Sequence, residues 1–190
     1  YEHILYDGAR HISIASLPGM RDQTITINSI SKTYSLTGWR VGWAIASAPL
    51  TASIRKVHDF MTVGAPHPLQ EAAATALRMN RSYYQTLAKE YEERRDFLSG
   101  VLDEAGFRIY RPHGAYYIMT DVGHFGISDD VAFAFYLVEK LGVATVPGSS
   151  FYSRSSLGAT KIRFCFPKKR ETLELTAEKL KNFKAARKLM

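Results

Sequence analysis

Cysteine is almost missing from this 190-residue chain. Cys165 stands alone, which excludes an internal disulfide framework. Long apolar runs are missing too. No stretch approaches the roughly 20 apolar residues that a membrane helix requires, so no membrane partner is expected. The chain does not open on a basic-then-apolar signal segment, and the expected setting is cytoplasmic. The six histidines, His3, His11, His58, His67, His113 and His124, follow none of the spacings of a metal site, so no metal is expected. There is no internal repeat, no low-complexity tract and no zinc-finger or RNA-binding signature.

What is present is a globular composition. Hydrophobic residues make up 46% of the chain and aromatics 12%, enough to bury a core rather than remain disordered. The net charge of +7 raises the question of an anionic partner. Much of it falls in one late stretch: Lys168, Lys169, Arg170, Lys179, Lys181, Lys184, Arg187 and Lys188. Glu171, Glu174 and Glu178 interrupt that stretch, which reads as the solvated face of a helix. No nucleic-acid partner is expected.

Periodicity divides the chain. Thr24–Ser31 alternates with period two and is rich in β-branched residues, so it reads as a strand. Trp39–Ala46 is a second strand, and Pro49 suits the first turn of a helix ending near Met61. Gly64–Pro68 breaks that helix, and an alanine-rich helix spans Leu69–Asn80. A long charged helix runs from Arg81 to Ala105, with Gly106 as its C-cap. Strands are expected at Phe107–Arg111, Ala115–Asp121, Val143–Val146 and Lys161–Phe166. A helix at Asp129–Leu141 is capped by Ser128 or Asp129 and ended by Gly142, and a final helix covers Arg170–Lys188.

The most informative run is Ser29-Ile-Ser-Lys32-Thr-Tyr-Ser-Leu-Thr-Gly-Trp-Arg40-Val-Gly42-Trp43. A lysine at a strand end is rigidly held and can form a Schiff base with a carbonyl cofactor. Eight residues on, Arg40 offers a planar fork of donors suited to a phosphate dianion. Gly38 and Gly42 beside it permit a tight loop and close backbone approach. Later, Lys161-Ile-Arg163-Phe-Cys-Phe166 places Arg163 and Cys165 on one strand face and Ile162, Phe164 and Phe166 on the other.

These segments resemble the class I aminotransferases, the aspartate aminotransferase family of fold-type I pyridoxal-phosphate enzymes. The resemblance lies in the Ser29/Lys32/Arg40 spacing and in the strand bearing Arg163, which is similar to the family's Ile-Arg-x-Ser-Phe with Cys165 in place of serine. It extends to Pro112-His-Gly114-Ala-Tyr-Tyr117 and Val146-Pro147-Gly148-Ser-Ser-Phe151, which look like the family's Pro-x-Gly-Ala-Phe-Tyr strand opening and Pro-Gly-x-x-Phe turn.

The resemblance implies an α/β fold of the aspartate aminotransferase type, here its C-terminal portion. Residues 1–80 would be the C-terminal part of the large cofactor-binding domain, 81–105 a connecting helix, and 106–190 a small mixed α/β domain. It implies pyridoxal 5'-phosphate as cofactor, with Lys32 as Schiff-base residue and proton shuttle. Arg40 and Ser29 would hold the phosphate. Tyr1, at the end of the family's Asp-x-x-Tyr motif, would meet the ring's phenolic oxygen. Arg163 would grip the substrate's α-carboxylate.

The implied reaction is amino transfer from an amino acid to a 2-oxo acid, in a full-length protein that is a homodimer. The chain alone is not expected to transaminate, because the motif's aspartate would stand three residues before Tyr1. A carbon–sulfur lyase on the same scaffold, or an aminotransferase-like sensing domain of a transcription regulator, shares these motifs.

Overall fold

The computed structural model describes residues 1–187; Lys188, the expected end of the last helix, lies outside them. The chain forms two compact units. The first comprises Tyr1–His3 and Arg10–Leu87, and the second Ile4–Ala9 and the chain from Ala88 onward.

In the first unit, β1 (Thr26–Ser29) and β2 (Gly42–Ile45) form a two-stranded antiparallel ribbon, with Ser29 opposite Gly42 and Thr26 opposite Ile45. Both strands are shorter than the alternation predicts, because the chain leaves the ribbon at Ile30. That residue still pairs with Val41, its N–H donating to the Val41 carbonyl at 3.3 Å. Gly42 is required by this pairing. A Cβ there would lie 2.7 Å from the Asn28 carbonyl oxygen. Gly38 carries no such demand: a Cβ would meet nothing within 4 Å, so the expected need for glycine holds at Gly42 and not at Gly38.

Helix α1 (Ala48–Met61) has its proline in the first turn and ends where Val63 takes a left-handed φ of 61°. Helix α2 (His67–Leu77) starts two residues earlier than predicted, because Pro68 fits the first turn rather than breaking it. The unit's buried core is small: Ile30, Val41 and Ala73, flanked by Tyr34, Leu36, Trp43, Ala65 and Leu69. Helix α3 (Arg81–Glu104) begins in this unit and continues in the second.

The second unit is built on a four-stranded antiparallel sheet, ordered β3 (Arg108–Tyr110), β4 (Tyr117–Asp121), β6 (Lys161–Cys165), β5 (Val146–Pro147). The β5 strand is only two residues long, against the predicted Val143–Val146. Gly142, at φ 64°, caps α4 (Asp130–Leu141) and turns the Val143 N–H back to the Leu137 carbonyl, so Val143 closes the helix instead of pairing in the sheet. At the other end of α4 the Asp129 carboxylate accepts from the Ala132 N–H at 2.9 Å.

Ile118, Ile162, Phe164 and Phe166 line the buried side of the sheet. Phe107 sits among Phe133 of α4, Phe164 of β6 and Phe183 of α5 (Arg170–Arg187), with ring centroids 5.3–6.4 Å apart. The segment 4–9 is tied into this unit. Leu5 bridges to Gly114, and the Tyr6 hydroxyl donates to the Ala115 carbonyl.

Candidate functional site

The first unit places four of the five predicted site residues around one opening. An open pocket of about 420 Å³ is lined by Tyr1, Ser29, Lys32 and Arg40, together with Ile27, Asn28, Ser31 and Thr37. The local geometry follows from the end of β1. Ile30 buries completely and anchors the strand end, after which the chain turns through Ser31, Lys32 and Thr33. The Ser29 hydroxyl oxygen accepts from the Ser31 N–H at 3.3 Å, and its own O–H is the part able to donate to a phosphate. Thr37 reaches back from the far side of the turn, its hydroxyl donating to the Ser31 carbonyl at 2.9 Å.

Arg40 follows the 3₁₀ turn Thr37–Trp39 in a left-handed conformation, φ 56°. Its Nη1 donates to the Thr37 carbonyl at 2.9 Å, which fixes the guanidinium at the rim while the side chain stays exposed. Tyr1 is placed through its neighbour. The Asn28 side-chain amide donates to the Glu2 carboxylate at 2.7 Å, tying the segment 1–3 to β1. Asn28 and Thr37 belong to this site, and sequence reasoning missed both. Neither is charged, and each works through a bond whose partner is not visible in the local pattern.

Lys32 and Arg40 bring a nucleophilic amine and a guanidinium fork to one opening lined with hydroxyl groups. That donor set fits a cofactor carrying an aldehyde and a phosphate. Among the described residues no group of three His, Cys, Asp or Glu side chains could hold a metal ion.

Arg163 lies in the second unit, on β6, opposite Met119 of β4 and Val146 of β5. As the alternation predicts, Ile162 and Phe164 are buried on the other face. The Arg163 guanidinium carbon sits 4.5 Å from the centroid of Phe151 and 5.1 Å from that of Tyr117. Its Nε is buried and makes no hydrogen bond with the described residues. Phe151 is presented by the turn Gly148–Phe151, whose backbone packs tightly. A Cβ on Gly148 would lie 2.5 Å from Lys161 Cβ, which accounts for glycine there. Cys165 is a half-buried free thiol on the same strand.

The family described as "Aminotransferase class I and II" matches residues 1–180. The chain is 37% identical over 181 residues to methionine aminotransferase of Escherichia coli, covering 95% of this chain and 47% of that protein. It is 34% identical over 188 residues to a probable N-succinyldiaminopimelate aminotransferase of Mycobacterium tuberculosis, with coverage of 95% and 47%. The solved structure of the N-succinyldiaminopimelate aminotransferase from that organism superposes with a TM-score of 0.91 at 34% identity, over 96% of this chain and 48% of the other. An aromatic aminotransferase from Pyrococcus horikoshii superposes with a TM-score of 0.90 at 34% identity, over 100% and 50%. The chain thus spans about half the length of the relatives it matches.

Proposed function

The chain belongs to the class I and II aminotransferases, and from that premise we propose that it is the lysine-bearing, C-terminal portion of a pyridoxal-phosphate-dependent transaminase. The reaction is transfer of an amino group from an amino acid to a 2-oxo acid. The observation that carries this reading is the convergence of Lys32, Arg40, Ser29 and Tyr1 on one pocket. Relatives named for methionine, N-succinyldiaminopimelate, kynurenine and arginine share the family, so the proposal names the reaction class and no single donor.

In this reading Lys32 Nζ would hold pyridoxal phosphate. Arg40 and the Ser29 hydroxyl would bind its phosphate, and the Tyr1 hydroxyl would meet its phenolic oxygen. When bound, that cofactor supplies an electron sink for the pair left on the substrate's Cα. Lys32 Nζ would be the group that moves the proton of the substrate's Cα. Arg163 orients the amino acid by its carboxylate, and the flat faces of Tyr117 and Phe151 keep the guanidinium in place.

We propose 1–80 as the cofactor-binding domain, apart from the segment 4–9 that packs in the second unit, 81–105 as the connecting helix and 106–190 as the small domain. The course of α3, which starts in one compact unit and continues in the other, supports this division. The full-length protein is proposed as a homodimer in the cytoplasm, where a lone thiol such as Cys165 stays reduced. The chain by itself is proposed to be inactive.

The test is chemical. Borohydride reduction of the full-length protein with pyridoxal phosphate, followed by peptide mapping, should place the label on Lys32. A label on another lysine would overturn the assignment. Arg40→Lys should loosen the cofactor, whereas Arg163→Lys should weaken amino-acid binding with the cofactor retained, since a point charge replaces a bidentate fork. The reverse pattern would show that the two arginines have exchanged roles.

A further inference from the structure

We infer that Tyr83 and Tyr84, in the first turn of α3, are positioning residues for Lys32. They hold the lysine turn through the Thr33 carbonyl and the Tyr34 hydroxyl. The inference rests on the reading of Lys32 as the cofactor lysine.

The lysine turn has little strength of its own. Its internal backbone bonds are long: Tyr34 N–H to the Ile30 carbonyl at 3.4 Å and Ser35 N–H to the Lys32 carbonyl at 3.3 Å. The short bonds come from outside the turn. The Tyr83 hydroxyl donates to the Thr33 carbonyl at 2.7 Å, and the hydroxyls of Tyr34 and Tyr84 share a hydrogen bond of 2.7 Å. Ser31 and Thr33, the residues on either side of Lys32, are 9% and 6% exposed. The carbonyl of each accepts from a side chain further along the chain, Thr37 for one and Tyr83 for the other. Lys32 is therefore pinned at both flanks, and half of that restraint is a phenol 50 residues away.

The rings add rigidity. Tyr34 stacks on Tyr83 with centroids 5.7 Å apart, and Tyr83 meets Tyr84 edge-on at 5.5 Å. The cluster also reaches the segment that carries Tyr1. The His3 ring lies 4.2 Å from Tyr84, two residues after Tyr1. One aromatic cluster on a 24-residue helix thus supports both the lysine turn and the segment carrying Tyr1. Phenylalanines would bury comparable area and leave the Thr33 carbonyl without its donor. The hydroxyls are thus the part of the cluster that acts on the turn.

The experiment uses the full-length protein and three measurements. Borohydride mapping of the unaltered protein comes first, and a label found away from Lys32 would overturn the underlying reading whatever the tyrosine variants do. With Lys32 labelled, Tyr83→Phe should speed amide hydrogen exchange across residues 31–36 and raise the dissociation constant for pyridoxal phosphate, each about tenfold, the cost of one buried carbonyl losing its partner. Exchange in β4 and β6 should not change. Tyr84→Phe should act in the same direction by about threefold, and adding Tyr34→Phe should restore it, since removing both partners of a bond costs less than removing one. The Tyr84 pair carries the test if Tyr83→Phe does not fold. Unchanged exchange and unchanged cofactor affinity in these variants would overturn the inference. So would a rise in exchange of equal size in β4 and β6, which would mark a general structural role.

Discussion

The two sheets of this chain carry the same kind of residue and end in opposite conditions. In the second unit Ile118 of β4 and Ile162 of β6 are fully buried. In the first, Ile27 of β1 and Ile45 of β2 are 80% and 61% exposed. The difference is cover. The second sheet has Phe133 of α4 and Phe183 of α5 packed with Phe107 against its buried side. The ribbon has a buried core of three residues, and Phe60, Met61 and Val63 at the end of α1 are exposed as well.

Covering an isoleucine contributes about 1.5–3 kcal/mol, a contribution the ribbon forgoes at two positions. The lesson is that alternation specifies a strand and leaves open what will cover it. The unit that carries Lys32 holds the uncovered ribbon, in a chain spanning about half the length of its relatives.

Amide exchange in the 190-residue chain sharpens this contrast most. The ladder amides of β4 and β6 should exchange at least about a thousandfold more slowly than those of β1 and β2, because a covered core opens only with its whole unit and a ribbon opens locally. Equal protection in the two sheets would break the comparison and show that the small core of the first unit suffices.

A smaller effect comes from dismantling the clasp of the second unit. Arg95 is fully buried. It donates to both carboxylate oxygens of Asp7 at 2.6 and 2.9 Å, to Asp96 at 2.8 Å and to the Pro112 carbonyl at 3.1 Å. It also lies 4.6 Å over the ring of Tyr6. Arg95→Met should destabilise this unit by about 3 kcal/mol, the low end for a broken buried pair because its acidic partners remain partly solvated.

Urea unfolding followed by resonances of Ile118 and Ile162 should show the loss. Fluorescence should not follow it, since both tryptophans, Trp39 and Trp43, lie in the first unit. Acid should loosen the same clasp. The hydrogen bonds from Arg95 hold the Asp7 carboxyl below the usual carboxylate range. A carboxyl depressed in the folded state stabilises above its unfolded pKa, and that contribution is lost as pH falls below about 4 toward the folded value. Asp121 adds to the trend. Burial pushes its carboxyl up, but the Gly123 N–H, Lys161 and Thr160 outweigh burial and lower it. A fall in second-unit stability below that pH, reduced in Arg95→Met, is the expected result.

Much of the architecture was legible because it is local. The helices and strands emerge from periodicity, with ends displaced where caps or prolines decide. Ser29, Lys32 and Arg40 are readable because their spacing lies within one strand, turn and strand. What escaped depends on partners distant in sequence. Arg95 sits in Glu92-Glu-Arg-Arg95-Asp96, a run that looks solvated, and it is buried only because Asp7 meets it from 88 residues away. Tyr84 lies in the charged helix predicted over Arg81–Ala105 with nothing nearby to mark it, and its bond to Tyr34 spans 50 residues. Asp130 read as part of a helix start, yet it is buried and accepts from the Ser149 N–H at 2.6 Å.

The smallest effect gives the most selective test of the comparison. Ile27→Lys replaces an isoleucine that is 80% exposed. In the 190-residue chain it should change stability by no more than about 0.5 kcal/mol, as surface substitutions do. In the full-length protein proposed above the same change should cost at least about 2 kcal/mol, because we propose that further chain covers Ile27 there and would bury the charge. Denaturation midpoints of the two proteins, with and without the substitution, make the measurement. If Ile27→Lys is neutral in both, the outer face of the ribbon belongs in water. The exposed isoleucines would then be a property of the fold rather than a surface awaiting cover.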